Sequence, residues 1–200
     1  MEITGIILAG GKSSRMGRNK ALLQVGDETN IGRIKRLIQT RTDHQILITN
    51  DPDSYEFLQM PMYEDEHKEH GPLAGIEVAL KHSETPWNLI IACDMPFADM
   101  EIARFLCKKV QESGAMAAVP EYNGKRHPLF ACYHKDFLPY VVDALEEGEK
   151  RMVNVLDQVN AITVTEEDLK DAGWSEAHLK LAFYNMNRPE DYEWVQTQQV

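Results

Sequence analysis

The chain has 200 residues, of which 43% are hydrophobic, so it can bury one good core, and we expect a single domain over residues 1–200. The net charge of −11 argues against nucleic acid as a partner, and no run reaches the roughly 18 apolar residues of a membrane span, so we expect neither a membrane segment nor a secretory leader. Cys93, Cys107 and Cys132 show neither metal-ligand nor disulfide-scaffold spacing, which is typical of the reducing cytoplasm.

Apolar runs alternate with helical patterns along the chain, which predicts an α/β fold with a mostly parallel sheet. The predicted strands are residues 3–8, 45–49, 88–92, 115–119, 129–133 and 161–164. The predicted helices are residues 31–40, 73–81, 100–112, 137–145 and 190–196. Ligands of open parallel sheets bind beyond the carboxyl ends of the strands. The loops after the first three predicted strands should therefore converge on one crevice.

The first predicted strand runs into a bare glycine turn, Gly10-Gly11, that is followed by cations. Four cationic side chains come within ten residues, at Lys12, Arg15, Arg18 and Lys20. Glycines let backbone N–H groups approach a ligand closely, and nearby cations complete a polyphosphate site. The alternative is a plain strand-to-helix turn, but the cations favour phosphate. The segment therefore predicts a nucleoside triphosphate site.

Two common phosphate-binding loops do not fit this segment. A P-loop that ends in Gly11-Lys12-Ser13 needs its first glycine at position 6, which is Ile6. The dinucleotide fingerprint needs a residue between its first two glycines, whereas Gly10 and Gly11 are adjacent. The turn is therefore of another kind.

Five blocks of the sequence together resemble the molybdenum cofactor guanylyltransferases, the MobA family of nucleotidyltransferases. They are the Leu-Ala-Gly-Gly segment at residues 8–20, then residues 71–76, 93–97, 126–131 and 183–191. The first block alone is a superfamily signature, while the five in order are more specific. The resemblance implies a three-layer, Rossmann-like nucleotidyltransferase fold with a mostly parallel, mixed central sheet. It also implies transfer of GMP from GTP to molybdenum-bearing molybdopterin, with release of pyrophosphate.

Asp94 is the expected metal ligand and a catalytic residue. It follows a buried strand directly, and Pro96 stops that strand from continuing. Mg²⁺ neutralises a triphosphate through one or two carboxylates and phosphate oxygens, so we expect Mg²⁺ as the cofactor. The resemblance also places a metal-binding aspartate here. The alternative is an aspartate that caps the following turn through its own backbone.

Lys20 and Arg15 are the other two expected catalytic residues. A lysine is a mobile point charge suited to the departing pyrophosphate, and an arginine fork binds two phosphate oxygens at once. Lys12 and Arg18 stay open between a phosphate contact and solvent.

The predicted nucleotide site includes backbone groups of the first loop and side chains of later loops. Its members are Leu8, Ala9, Gly10, Gly11, Lys20, Asn50, Asp65, Gly71 and Asp94. The resemblance assigns Asn50 and Asp65 to the guanine nucleotide, and a carboxylate suits guanine because N1–H and the N2 amino group both donate. The alternative for Asp65 is a solvated position in the charged run of residues 64–70.

The resemblance places the acceptor at Asn185, Asn187 and Arg126. The alternative role of Asn187 is to cap the helix that Pro189 begins. Possible protein partners are apo-molybdoenzymes or other proteins of cofactor biosynthesis. Two further hypotheses remain open: the same chemistry with CTP or another acceptor, and a non-catalytic cofactor carrier with this fold.

Overall fold

The computed structural model of the protein describes residues 2–10, 17–65 and 71–198. In these ranges the strands are β1 (Ile3–Leu8), β2 (Gln24–Val25), β3 (Glu28–Thr29), β4 (His44–Ile48), β5 (Met62–Tyr63), β6 (Trp87–Ala92), β7 (Ala117–Tyr122), β8 (Lys125–Arg126), β9 (Phe130–His134) and β10 (Ala161–Val164). The α-helices are α1 (Asn30–Gln39), α2 (Pro72–His82), α3 (Met100–Ser113), α4 (Leu138–Glu146), α5 (Met152–Leu156), α6 (Glu166–Asp171), α7 (Glu176–Ala182) and α8 (Pro189–Thr197). Short 3₁₀ turns cover Lys20–Leu22, Pro52–Leu58 and Lys135–Phe137. None of the described helices has the length and apolar character that crossing a membrane demands.

The main sheet is mixed and mostly parallel. Its strand order is β10-β7-β9-β6-β1-β4-β5, with β8 paired to β7. The pairs β1–β4, β1–β6, β4–β5 and β7–β10 are parallel, whereas β9 is antiparallel to both of its neighbours. This confirms the predicted α/β class and the mixed sheet.

Side chains that alternate along β1 divide the core into two halves, one on each face of the sheet. Ile7 belongs to a buried cluster that includes residues of α1 and α3. Its neighbours Ile6 and Leu8 belong to a second cluster, which includes residues of α2, α4 and α5. Because successive strand residues point to opposite faces, helices cover both sides. The predicted three-layer arrangement is confirmed.

The six predicted strands and five predicted helices are all present, with ends that shift by a few residues. The largest extension is in β7, which continues to Tyr122 because Asn123 and Gly124 (φ 51° and 67°) form a tight hairpin turn into β8. Helices α5, α6 and α7 are not among the predicted elements. They have only five to seven residues each, too few turns for a clear apolar period.

Gly5 lies in β1 beneath α1, where a side chain has no room. A Cβ atom there would lie 2.6 Å from Ile38 Cδ1 and Cγ1 and 2.8 Å from Thr42 Oγ1. Ile38 is fully buried, and the Thr42 hydroxyl donates to the Ile38 carbonyl at 2.8 Å, so neither moves freely. We expect Gly5→Ala to lower the free energy of unfolding by about 1–3 kcal/mol, as overpacking does, measured by urea denaturation.

The matched control is Gly75→Ala, because a Cβ atom at Gly75 meets nothing closer than 3.6 Å and alanine favours a helix. This variant should be at least as stable as the wild type. A Gly5→Ala protein that unfolds at the wild-type urea concentration would contradict the packing argument.

Candidate active site

Three parallel strands end side by side at one edge of the sheet. Leu8, the last residue of β1, is in register with Ile48 of β4 and with Ala92 of β6. The pairing continues past the strand end, since the Ala9 N–H donates to the Ile48 carbonyl at 2.9 Å. The loops that follow β1, β4 and β6 therefore leave the sheet together, in the arrangement that the sequence predicts.

A cleft of about 280 Å³ opens between these loops and the start of α2. Residues that the sequence predicts for nucleotide binding or catalysis lie on its wall: Leu8, Gly10, Lys20, Asn50, Asp65, Gly71 and Asp94. Gly10 and Asp94, which follow β1 and β6, thus face the same space. Ala9 is not part of the wall, and Gly11, Lys12 and Arg15 lie outside the described residues. Arg18 is exposed and away from the wall.

The cleft wall also has members that the sequence analysis does not single out. They are Ile48, Thr49, Pro72, Gly75, Ala92, Cys93 and Leu129. Most are apolar, and together with Leu8 they provide apolar walls of the kind that line ligand pockets. Ile48 and Ala92 are the last residues of β4 and β6, and that position is the signal that could have identified them.

Two side-chain hydrogen bonds in this region converge on the ammonium group of Lys20. Lys20 Nζ donates to Asp94 Oδ2 at 3.0 Å and to Asn187 Oδ1 at 3.1 Å. The Lys20 and Asp94 side chains are only 16% and 18% exposed, so the ion pair is shielded on most sides while still facing the cleft. The structure therefore joins two predicted catalytic residues with one predicted acceptor residue.

The oxygen atoms around Lys20 have the chemistry of a divalent cation site. Asp94 offers a carboxylate and Asn187 an amide oxygen, which are hard ligands, and both already contact a cation. Across the three described ranges, no group of three or more His, Cys, Asp or Glu side chains could hold a metal. A divalent ion held here would need phosphate oxygens and water to complete its coordination, as Mg²⁺ commonly does.

Asn50 and Asp65 are joined directly on the other side of the cleft. The Asn50 side-chain oxygen accepts a hydrogen bond from the Asp65 backbone N–H at 3.0 Å. Asp65 is half-buried and lies on the wall of the cleft. The two residues predicted for base recognition thus form one unit of the wall.

Gly71 connects this wall to the N-terminus of α2, where Pro72 occupies the first turn. Its backbone (φ 63°, ψ −149°) lies in a region that only glycine adopts readily. A Cβ atom at Gly10, in contrast, would meet nothing within 4 Å. Glycine at position 71 therefore permits a backbone conformation that other residues rarely adopt. Glycine at position 10 leaves open space toward the cleft.

Cys93 lies on the cleft wall beside Asp94 but is fully buried. Burial, and then the charge of Asp94, raise the pKa of its thiol to about 12. The group therefore stays protonated at neutral pH, whereas a nucleophile or a metal ligand would be a thiolate. Cys93 contributes packing rather than chemistry.

None of the three predicted acceptor residues is on the wall of this cleft, and Asn187 is joined to it only through its contact with Lys20. Arg126 pairs with Asp157 (Nη1–Oδ1 2.8 Å), and the Asn185 amide donates to the Phe183 carbonyl at 2.9 Å. The neighbouring His127 ring packs against Phe183 with centroids 4.9 Å apart. Burial lowers the pKa of His127, so the imidazole is neutral at pH 7.

A second cleft, of about 400 Å³, adjoins the first and shares Pro72 and Leu129 with it. Its wall includes Lys150 and Arg151, two exposed cations just before α5. The sequence analysis does not identify them. The adjacent Lys-Arg pair was the available signal, but an exposed pair of charges is ordinary on a protein surface.

The chain is similar to known proteins in sequence and in fold. Residues 5–162 match the family model of the MobA-like NTP transferase domain. A probable molybdenum cofactor guanylyltransferase of Carboxydothermus hydrogenoformans is 37% identical over 96% of this chain and 93% of its own length. One from Pelotomaculum thermopropionicum is 34% identical over 96% and 90%. The crystal structure of molybdopterin-guanine dinucleotide biosynthesis protein A from Archaeoglobus fulgidus superposes with a TM-score of 0.81 at 23% identity, covering 96% of each chain.

The structural likeness confirms the nucleotidyltransferase fold that the sequence predicts. The family match and the relatives cover most of the chain, at identities that establish common descent. The chain belongs to the MobA-like NTP transferase family.

Proposed function

We propose that this protein transfers GMP from GTP to molybdenum-bearing molybdopterin, forming a molybdopterin guanine dinucleotide cofactor and pyrophosphate. The relatives named guanylyltransferases supply the expected substrate class. The observation that carries the proposal is the contact of Lys20 with Asp94 inside the cleft at the strand ends. It brings together the cation and the carboxylate that nucleotidyl transfer requires.

In the proposed reaction, the acceptor's terminal phosphate oxygen attacks the α-phosphorus of GTP. The bond between the α-phosphorus and the bridging oxygen breaks, and pyrophosphate leaves with its electron pair. A phosphate monoester, whose second pKa is about 6, is already ionised at pH 7, so no strong general base is needed. His127 packs against Phe183, and burial lowers its pKa and so makes it a weaker base; the proposed reaction assigns it no proton transfer.

Lys20 and Asp94 have different roles in stabilising the charge of the triphosphate. The Lys20 ammonium is placed to bind the triphosphate and to stabilise the charge that grows on the leaving group. Asp94 would hold a divalent metal, for which we propose Mg²⁺. When bound, that ion would neutralise the negative charge of the phosphate oxygens. Arg15 remains a further predicted phosphate ligand.

The Asn50–Asp65 unit is the proposed reader of guanine. A carboxylate accepts hydrogen bonds from both N1–H and the N2 amino group, and cytosine offers no such pair of donors. Leu8, Gly10 and Gly71 border the same space. Asp65→Asn should raise the KM for GTP by about tenfold, the loss expected for a hydrogen bond to a charged group.

The second cleft is the proposed entry for the acceptor. It shares Pro72 and Leu129 with the first cleft, and Lys150 and Arg151 at its wall suit an anionic acceptor. Arg126 and Asn185, which the resemblance assigns to the acceptor, are engaged with Asp157 and Phe183 instead. They remain predictions.

Turnover with GTP, CTP and ATP, measured side by side as pyrophosphate release with a molybdopterin acceptor, tests this function. We expect clear preference for GTP. Preference for CTP would replace the guanine assignment with the cytidylyl alternative, and binding without pyrophosphate release would favour a non-catalytic carrier. Neither alternative is favoured, because the relatives are guanylyltransferases by name and Lys20 and Asp94 are both in place.

We further propose that the protein works as one domain in the cytoplasm, in agreement with its three free, buried cysteines. Apo-molybdoenzymes or other proteins of cofactor biosynthesis are the proposed protein partners.

A further inference from the structure

The side-chain oxygen of Asn187 contacts the catalytic lysine and not the acceptor cleft. It accepts from Lys20 Nζ at 3.1 Å, beside the Asp94 oxygen at 3.0 Å. Asn187 is not part of the wall of either cleft near the proposed acceptor path. We propose that Asn187 is a positioning residue for Lys20, a role that rests on the proposed function only in so far as Lys20 is catalytic.

The backbone around Asn187 is held firmly enough to fix its side chain. The N–H of the fully buried Met186 donates to the Asp94 carbonyl at 2.7 Å, which ties this segment to the loop after β6. The Asn187 N–H donates to Asp191 Oδ2 at 2.8 Å, and the Arg188 N–H donates to the same oxygen at 2.8 Å. Asn187 therefore approaches Lys20 from a segment that is anchored on both sides.

Lys20 needs such a partner because its own backbone fixes only the start of a long side chain. Its 3₁₀ turn is capped by Asn19, whose side chain accepts from the Ala21 N–H at 3.1 Å. Beyond Cβ, the stem is flexible, and ordering it costs up to about 2 kcal/mol of side-chain entropy. Two acceptors at the ammonium group hold it at the cleft before the nucleotide arrives, which lowers that cost during catalysis.

A neutral amide suits this role better than a second carboxylate. With Asp94, the trio has one positive and one negative charge, so phosphate oxygens can compete for the ammonium group. Asn187→Asp would add a second negative charge and hold Lys20 away from the nucleotide. We therefore expect Asn187→Asp to be at least as impaired in turnover as Asn187→Ala.

Asn185 provides a matched control within the same segment. Its amide donates to the Phe183 carbonyl at 2.9 Å, two residues away, and no hydrogen bond to Lys20 is found for it among the described residues. Asn185→Ala and Asn187→Ala each remove one side-chain amide group, at positions two residues apart in the same segment. If the segment were loosened in general, the labelling rate of the Lys20 amine would change in both variants. If Lys20 alone loses its positioning, that rate changes only in Asn187→Ala.

The test that does not depend on turnover is the accessibility of the Lys20 amine. The nucleotide-free wild type, Asn185→Ala and Asn187→Ala are labelled by reductive methylation, and the rate at Lys20 is followed by peptide mass spectrometry. We expect faster labelling of Lys20 in Asn187→Ala alone. Equal rates in the three proteins would overturn the proposal, even if the enzyme has a different substrate.

The second test is a double-mutant cycle of Lys20→Met and Asn187→Ala. We expect Asn187→Ala to lower kcat about tenfold with little change in the KM for the acceptor, as for one hydrogen bond to a charged group. In the Lys20→Met background it should cause no further loss.

Three results of the cycle would overturn the proposal. The first is that the losses of kcat in the two single variants add in the double variant. The others are that Asn187→Ala raises the acceptor KM at unchanged kcat, or raises the metal requirement even in the Lys20→Met background. A wild type that is inactive with GTP, in contrast, would refute the proposed function while the labelling result still decides the role of Asn187.

Discussion

Asp94→Asn is expected to lower turnover by about three orders of magnitude or more while leaving the fold intact. A metal ion contributes several kcal/mol to a phosphoryl-type transition state, and each 1.4 kcal/mol, roughly, is a factor of ten in rate. The amide keeps the shape of the side chain but not the charge that would hold the metal. The backbone carbonyl of Asp94, which accepts from the Met186 N–H, is unchanged by the substitution.

Asp99→Asn is the matched control for this experiment. Asp99 follows in the same loop, its side chain is also 18% exposed, and it pairs with His178 outside the cleft. We expect Asp99→Asn to retain close to wild-type kcat, and both variants to keep their thermal midpoint within about 3 °C, equivalent to roughly 1 kcal/mol. Near-normal kcat of Asp94→Asn in Mg²⁺ would remove Asp94 from the reaction centre.

The fold was predictable from sequence because its main strands are short, mostly apolar runs. Ile3–Leu8 and Trp87–Ala92 are buried on both faces, so they lack the alternation of a surface strand and read as central strands of a parallel sheet. The antiparallel insertion of β9 between β6 and β7 had no such signal. Strand order depends on packing between distant segments, and a single sequence records it only weakly.

The candidate site was predictable where a residue directly follows a strand. Gly10 and Asp94 come two residues after β1 and β6, so the geometry of a parallel sheet brings them to one edge. The Lys20–Asn187 contact joins positions 167 apart, and no local pattern indicates it. The resemblance assigns Asn187 to the acceptor, whereas the structure shows that it contacts the lysine.

Lys20→Met is expected to lower kcat by about 10²–10³-fold, with a smaller effect on the KM for GTP. Donors aimed at charge that develops in the transition state contribute about 3–4 kcal/mol each in favourable cases. Methionine preserves most of the apolar stem and removes the ammonium group that contacts Asp94 and Asn187. Steady-state pyrophosphate release at varied GTP separates kcat from KM, and a loss confined to kcat identifies an interaction made mainly in the transition state.

Lys81→Met is the control, because Lys81 is an exposed lysine near the C-terminal end of α2 and is absent from the cleft wall. It removes the same charge from the protein without touching the site, so its kinetics should match the wild type. If Lys20→Met instead raised only the KM for GTP, Lys20 would bind substrate and transition state equally well. Its contact with Asp94 would then serve to hold the ground-state nucleotide, and the catalytic charge would have to come from the cations that follow Gly11.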